Sequence, residues 1–169
     1  MDSQNTAQKL AVITGGASGI GLSCTKRFAK EGYAVLIIDA NKEAGEKEIK
    51  NLKSNGYNSD FAYCDITKHE QVAAIFQGLG DQNKCAQVLV NCAGISPALN
   101  ALHEYPVEEW HRAIDINLHG TFYACREFLD LAMKNNESDG SIINVASIMG
   151  VRASAAQASY AASKHAVVG

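Results

Sequence analysis

Thr14-Gly15-Gly16-Ala17-Ser18-Gly19-Ile20-Gly21 is a glycine-rich junction between two different patterns of apolar residues. Before it lies a short apolar run, Leu10–Thr14; after it, Ile20–Lys30 carries apolar residues at helical spacing. A strand that feeds a helix through glycines leaves backbone N–H groups and the positive helix end facing one spot. Glycine also lets the backbone approach a pyrophosphate with no side chain in the way. The glycines stand at Gly15, Gly19 and Gly21, a spacing other than G-x-G-x-x-G, and a plain tight turn would use the same residues.

The alternation continues along the chain. Tyr33–Asp39 is predicted as a second strand, with Gly32 stopping the helix before it. Lys42–Asn55 reads as a charged helix with favourable Glu43–Lys47 and Glu46–Lys50 pairs. Phe61–Cys64 is a third strand, and Thr67 is expected to cap a helix from Lys68 to Leu79. Gln87–Asn91 contains the unbroken trio Val88-Leu89-Val90, which suits a parallel strand covered on both faces. One long helix is expected over Val107–Lys134, a fifth strand over Ser141–Ala146 and a last helix from Ala155. Five such units predict an α/β fold, a doubly wound parallel sheet of Rossmann-like type, with 1–169 as a single domain.

Composition narrows the function. Hydrophobic residues make up 47% and charged residues 20%, which is ordinary for a globular chain. A net charge of −3 offers no basic field for phosphate backbones, so nucleic acid is not an expected partner. The opening, Met1–Lys9, is polar and does not read as a signal peptide, and apolar runs such as Ala34–Ile38 are too short to span a bilayer. Five scattered cysteines suit reduced thiols in a cytoplasmic protein. His69, His103, His111, His119 and His165 lack partners at ligand spacing, so no metal site is expected.

Asp39 ends the second strand eighteen residues after Gly21, where a carboxylate can accept hydrogen bonds from a ribose diol. The same charge repels a 2′-phosphate, so NAD is favoured over NADP. Ser18 and Ile20 belong to the glycine turn; Asp65 and Ile66 follow the third strand, placed for the adenine edge. Asn91, Ala93 and Gly94 end the fourth strand, with small residues where a ribose must pass. All lie at carboxyl ends of strands, the rim where open α/β sheets bind ligands.

Tyr160 and Lys164 stand four apart, on one helix face. A tyrosine in water loses its proton near pH 10, so proton transfer at neutral pH calls for a neighbouring positive charge. Lys164 can supply it and can also hold a ribose. Ser147 follows the fifth strand, thirteen residues before Tyr160, and its hydroxyl can orient a substrate oxygen. Asn117 sits among Ile114, Ile116 and Leu118; a buried helical Asn either bonds structurally or positions a water for proton relay.

These residues together resemble the short-chain dehydrogenases/reductases over essentially the whole chain. T-G-x-x-x-G-x-G falls on Thr14, Gly15, Gly19 and Gly21, and N-x-A-G on Asn91, Ala93 and Gly94. The resemblance implies a catalytic tetrad of Asn117, Ser147, Tyr160 and Lys164, with Tyr160 the general acid/base, Ser147 the carbonyl orienter and Asn117 in a proton relay. It implies an NAD-dependent oxidoreductase acting on an alcohol or ketone, and homodimers or homotetramers built through helices 107–134 and 155–169. Two features depart from the family pattern. Cys92 stands where many relatives carry a second Asn. The chain ends five residues after Lys164, whereas family members continue with at least two more strands and a substrate lid. C-terminal strands are therefore expected to be missing, leaving Ile142, Ile143 and Val145 on an apolar edge. The alternative expectation is a truncated NAD-binding module, or a dimerising interaction protein, without turnover. Ile95–Tyr105 and Ile148–Gln157, mostly small or apolar, point to a neutral, moderately apolar substrate.

Overall fold

The computed structural model describes residues 8–136 and 139–169; most of the polar opening segment, 1–7, and positions 137–138 lie outside the described residues. The strands β1 (Leu10–Thr14), β2 (Ala34–Asp39), β3 (Ser59–Tyr63), β4 (Val88–Asn91) and β5 (Ser141–Asn144) form one sheet in the order β3-β2-β1-β4-β5. Every pairing is parallel. The chain steps from β1 through β2 to β3, then returns to the other side of β1 as β4. That reversal opens a crevice at the carboxyl ends of β1 and β4, where such sheets bind ligands.

Both faces of the sheet are covered, which is why β1 and β4 read as continuous apolar runs. Leu10, Val12, Leu36, Ile38 and Leu89 point to one side, against Phe76 of α3 (His69–Asp81) and Phe128 and Leu131 of α5 (Gly120–Lys134). Ala11, Ile13, Val35, Ile37 and Val90 point to the other, against Ala29 of α1 (Gly19–Lys30) and Ile49 and Leu52 of α2 (Lys42–Ser54). Phe76 and Phe128 are essentially sealed, and truncating either to Ala costs about 3–5 kcal/mol. Two further helices, α4 (Val107–Ile114) and α6 (Ala158–Val168), stand over the carboxyl-end rim and pack together. At the opposite edge from β3, Ile143 of β5 is 47% exposed.

Four local expectations are corrected. Thr67 does not cap α3: its hydroxyl and N–H both bond to Asp65 Oδ1, at 2.8 and 3.0 Å. Captured in that turn, it lies one residue too early, and α3 follows Lys68 instead. The long helix is not uniform, because 115–119 widens into a π-turn in which Gly120 N–H reaches the Asp115 carbonyl five residues back. The last helix starts at Ala158 rather than Ala155, since Ala156 takes a positive φ of 63° and its carbonyl accepts from Asn100 N at 3.1 Å. On α2 the ion pairs are Lys42–Glu46 at 3.8 Å and Lys26–Glu48 at 3.5 Å, in place of the two predicted ones. The Lys42–Glu46 pair is exposed on both sides and contributes little.

Candidate functional site

The glycine turn is shaped by close approach. Gly15 has φ +64°, and a Cβ there would stand 2.8 Å from Ala93 N, so β1 and the segment after β4 meet only without a side chain. Ser18 precedes α1 without capping it, and no acid occupies its first turn. The first-turn N–H groups therefore keep their donor capacity for an external anion. Gly19, at φ +51°, would direct a Cβ into open space. Ile20 is left 63% exposed beside it.

These atoms line a cavity of about 460 Å³. Of the sequence-predicted cofactor residues, Gly15, Ser18, Gly19, Ile20, Gly21 and Asp39 face it from the β1–β2 side. Asp65, Ile66, Ala93 and Gly94 face it from the β3–β4 side. Asn91 does not line it: its amide donates to Asn144 Oδ1 at 2.9 Å and to Cys125 Sγ at 3.3 Å, inside the sheet. Asp39 is fixed by two backbone donors, Ala17 N at 3.0 Å on Oδ2 and Asn41 N at 2.9 Å on Oδ1. A carboxylate has about four acceptor positions, so lone pairs remain for a diol.

The second group of residues gathers beside this cavity. Lys164 is 7% exposed, its Nζ donates to Val145 O at 2.7 Å, and it lies 5.9 Å from the centre of the Tyr160 ring. Val145 and Gly94 line the cavity, and a Cβ on Gly94 would stand 3.7 Å from Lys164 Nζ. Burial holds the Lys164 ammonium below its ordinary pKa, with a smaller opposite pull from Cys92. Asn117 is fully buried; its Oδ1 accepts from Ile95 N at 2.8 Å, and its Nδ2 donates to Ile95 O and to Ser163 Oγ, both at 3.0 Å. These bonds join the post-β4 segment, the π-turn and α6. Ser147 Oγ accepts from Met149 N at 3.1 Å, which leaves its hydrogen free to donate.

Asn117, Ser147, Tyr160 and Lys164 do not line the cavity themselves; Lys164 adjoins it through Val145 and Gly94. The lining also includes residues that the sequence did not mark as cofactor-binding, chiefly Cys64, Cys92, Ile95, Arg112 and Ile116. Arg112 and Ile116 are four apart, one helical step, but nothing marks that face until α4 is placed over the rim. Burial pushes the Cys92 thiol up to about 12 and the Cys64 thiol up to about 11, with neighbouring Cys24 and Asp65 adding to the respective shifts. Among the described residues no helix is long and apolar enough to cross a membrane, and no metal-binding cluster of His, Cys, Asp and Glu occurs.

A crevice at the strand-order reversal, floored by a glycine turn and an uncapped helix start, is the place where open parallel α/β sheets bind nucleotides. The sequence pattern of the short chain dehydrogenase family matches residues 9–169, and the chain belongs to that family. It is 36% identical over 162 residues to a 3beta-hydroxysteroid dehydrogenase of Mediterraneibacter gnavus, covering 96% of this chain and 58% of that protein. It is 38% identical over 170 residues to the 3-hydroxyacyl-CoA dehydrogenase type-2 of Rattus norvegicus, covering 95% of this chain and 64% of that protein. The crystal structure of NAD+-bound xylitol dehydrogenase superposes with a TM-score of 0.89 at 30% identity, covering 95% of this chain and 61% of that one. The F189W actinorhodin polyketide ketoreductase with NADPH superposes at 0.88 with 32% identity, covering 95% of this chain and 61% of that one. The chain thus spans about three-fifths of the length of these relatives. The relatives named here are dehydrogenases and a ketoreductase, two of them solved with NAD+ or NADPH bound.

Proposed function

We propose that the protein binds NAD in preference to NADP and interconverts a secondary alcohol and its ketone on a small, moderately apolar substrate. The observation that carries this reading is the junction of two sites: Lys164, stacked near Tyr160, hydrogen-bonds the carbonyl of Val145, a residue of the cavity wall. The NAD preference rests on Asp39, whose fixed carboxylate would meet a ribose diol and oppose a 2′-phosphate. The glycine turn and first-turn N–H groups of α1 would hold the pyrophosphate, with Asp65 and Ile66 toward the adenine. When bound, the nicotinamide supplies or accepts the hydride.

The chain's own residues handle the proton. In the reducing direction Tyr160 gives its phenolic proton to the substrate oxygen; in the oxidising direction the phenolate takes it back. The Lys164 ammonium favours the phenolate by charge. Ser147, its oxygen already accepting from Met149 N, donates to the same substrate oxygen and steadies the charge that develops there. Asn117 holds the π-turn against the post-β4 segment, and so positions the corner from which a relay would start. The names of the relatives, a hydroxysteroid, a hydroxyacyl-CoA and xylitol dehydrogenase, support a hydroxyl-bearing carbon as the reacting group.

Homo-oligomers through 107–134 and 155–169 are part of the same reading. Phe122, Leu129 and Met133 are 57%, 50% and 78% exposed and lie along one stripe of α5, an apolar surface that a second copy would cover. A cytoplasmic setting suits the five scattered thiols.

The test is a titration of NAD and NADP, followed by NADH oxidation against a panel of ketones. NAD binding tighter than NADP, with turnover, is the expected result. NADP binding tighter than NAD would refute the role given to Asp39. NAD binding without turnover would favour a dinucleotide-binding module.

A further inference from the structure

The charge around the cavity is unbalanced. Among the described residues that line it, the acids are Asp39 and Asp65 and the sole cation is Arg112. The glycine turn has no Lys or Arg between Thr14 and Gly21, and the basic residues of α1, Lys26, Arg27 and Lys30, lie in its second half. A pyrophosphate brings two negative charges into this space. Backbone N–H groups and the helix end carry only partial charge toward it. One peptide donor near the turn, Ala17 N, is already committed to Asp39.

Arg112 stands on α4 and lines the same cavity as the turn, and its side chain is 59% exposed. Its Nη1 sits 3.3 Å from Glu109 Oε1, one helical step back, in an exposed pair that holds it only weakly. A guanidinium offers five donors in a planar fork that matches phosphate oxygens two at a time. We infer that Arg112 is the cation that engages the pyrophosphate of the bound dinucleotide, exchanging Glu109 for a stronger anion. Arg112 is then an affinity-determining residue, and Glu109 a competitor that moderates it. This inference rests on the dinucleotide reading of the cavity given above.

The experiment compares adenosine, ADP-ribose, NAD and NADP as ligands by calorimetric titration, with wild type, Arg112→Met, Arg112→Lys and Glu109→Gln. The expected result is that Arg112→Met weakens ADP-ribose and NAD by about 10- to 100-fold while leaving adenosine unchanged. Arg112→Lys should retain part of the affinity, and Glu109→Gln should tighten ADP-ribose by a few-fold. The salt dependence of NAD binding should become shallower in Arg112→Met. Because Arg112 is exposed, its melting temperature should match that of wild type, separating lost contact from lost fold. An equal loss for adenosine would overturn the inference in favour of stacking on the base. A loss confined to NADP would overturn it in favour of the 2′-phosphate, and unchanged ADP-ribose binding would refute it outright. If wild type itself binds none of the dinucleotides, the parent reading fails, and that failure is recognised by the silence of wild type.

Discussion

The two halves of the site are built in different ways. The β1–α1 corner is contiguous: a strand, a glycine turn and a helix start occupy 10–30 and need only β4 behind them. The Tyr160 corner is assembled from pieces far apart in sequence. Asn117 reaches Ile95 and Ser163, Lys164 reaches Val145, Asn100 reaches Ala156 and Tyr105 OH bonds Ser159 Oγ at 2.6 Å. The first corner is set mainly by local chain geometry. The second depends on several loops agreeing on one geometry.

That contrast can be broken most sharply at Tyr160. Tyr160→Phe should lower kcat by roughly 10²–10⁴-fold, with NAD affinity within about twofold of wild type. Steady-state kinetics beside a binding titration would check it, and a parallel loss of affinity would show that the two corners are not separable. Asn117→Ala removes three hydrogen bonds of a buried side chain that join separate segments. It should destabilise by about 3 kcal/mol, read as a lower urea midpoint, and should disturb turnover more than NAD binding.

Gly15→Ala should do the reverse. A left-handed φ and a 2.8 Å approach to Ala93 N make it destabilising by about 2–3 kcal/mol, with NAD affinity falling first. Asp39→Asn should weaken NAD by about tenfold and raise the NADP-to-NAD affinity ratio, leaving the fold intact. A ratio that does not move would remove Asp39 from cofactor choice.

The smallest effect is expected with pH. Cys92 and Cys64 have folded pKa values raised to about 12 and about 11, so the fold favours their protonated forms. Their contribution is complete below the ordinary thiol value, near pH 9, and is lost as pH rises through 11–12. Denaturation midpoints should therefore fall over that alkaline window, and less steeply in Cys92→Ser. Alkylation of Cys92 at pH 8 should be slow for the same reason.

Much of the first corner was legible in the sequence. Its glycines, Asp39 and the apolar strands are local signals: each reports a turn, a strand end or a face buried on both sides. The resemblance to the family brought Asn117, Ser147, Tyr160 and Lys164 together, and the fold sets Lys164 against both Tyr160 and the cavity wall. What escaped reading depends on spatial neighbours. Thr67 looks like a helix cap until Asp65 captures its hydroxyl, and Asn91 looks like a ligand residue until Asn144 and Cys125 surround it. Nothing about Arg112 in the sequence distinguishes it from a solvated surface charge.

The sequence by itself determined the alternation of strands and helices, the parallel sheet and the position of the glycine turn. Periodicity and turn chemistry act over a few residues, so they survive without tertiary context. Only the tertiary structure decided that the helix over 107–134 opens into a π-turn, that Asn117 is spent on backbone and Ser163, and that Arg112 looks into the cavity. Those outcomes depend on which groups are left unpaired when distant segments close on one another, and burial makes each unpaired group costly.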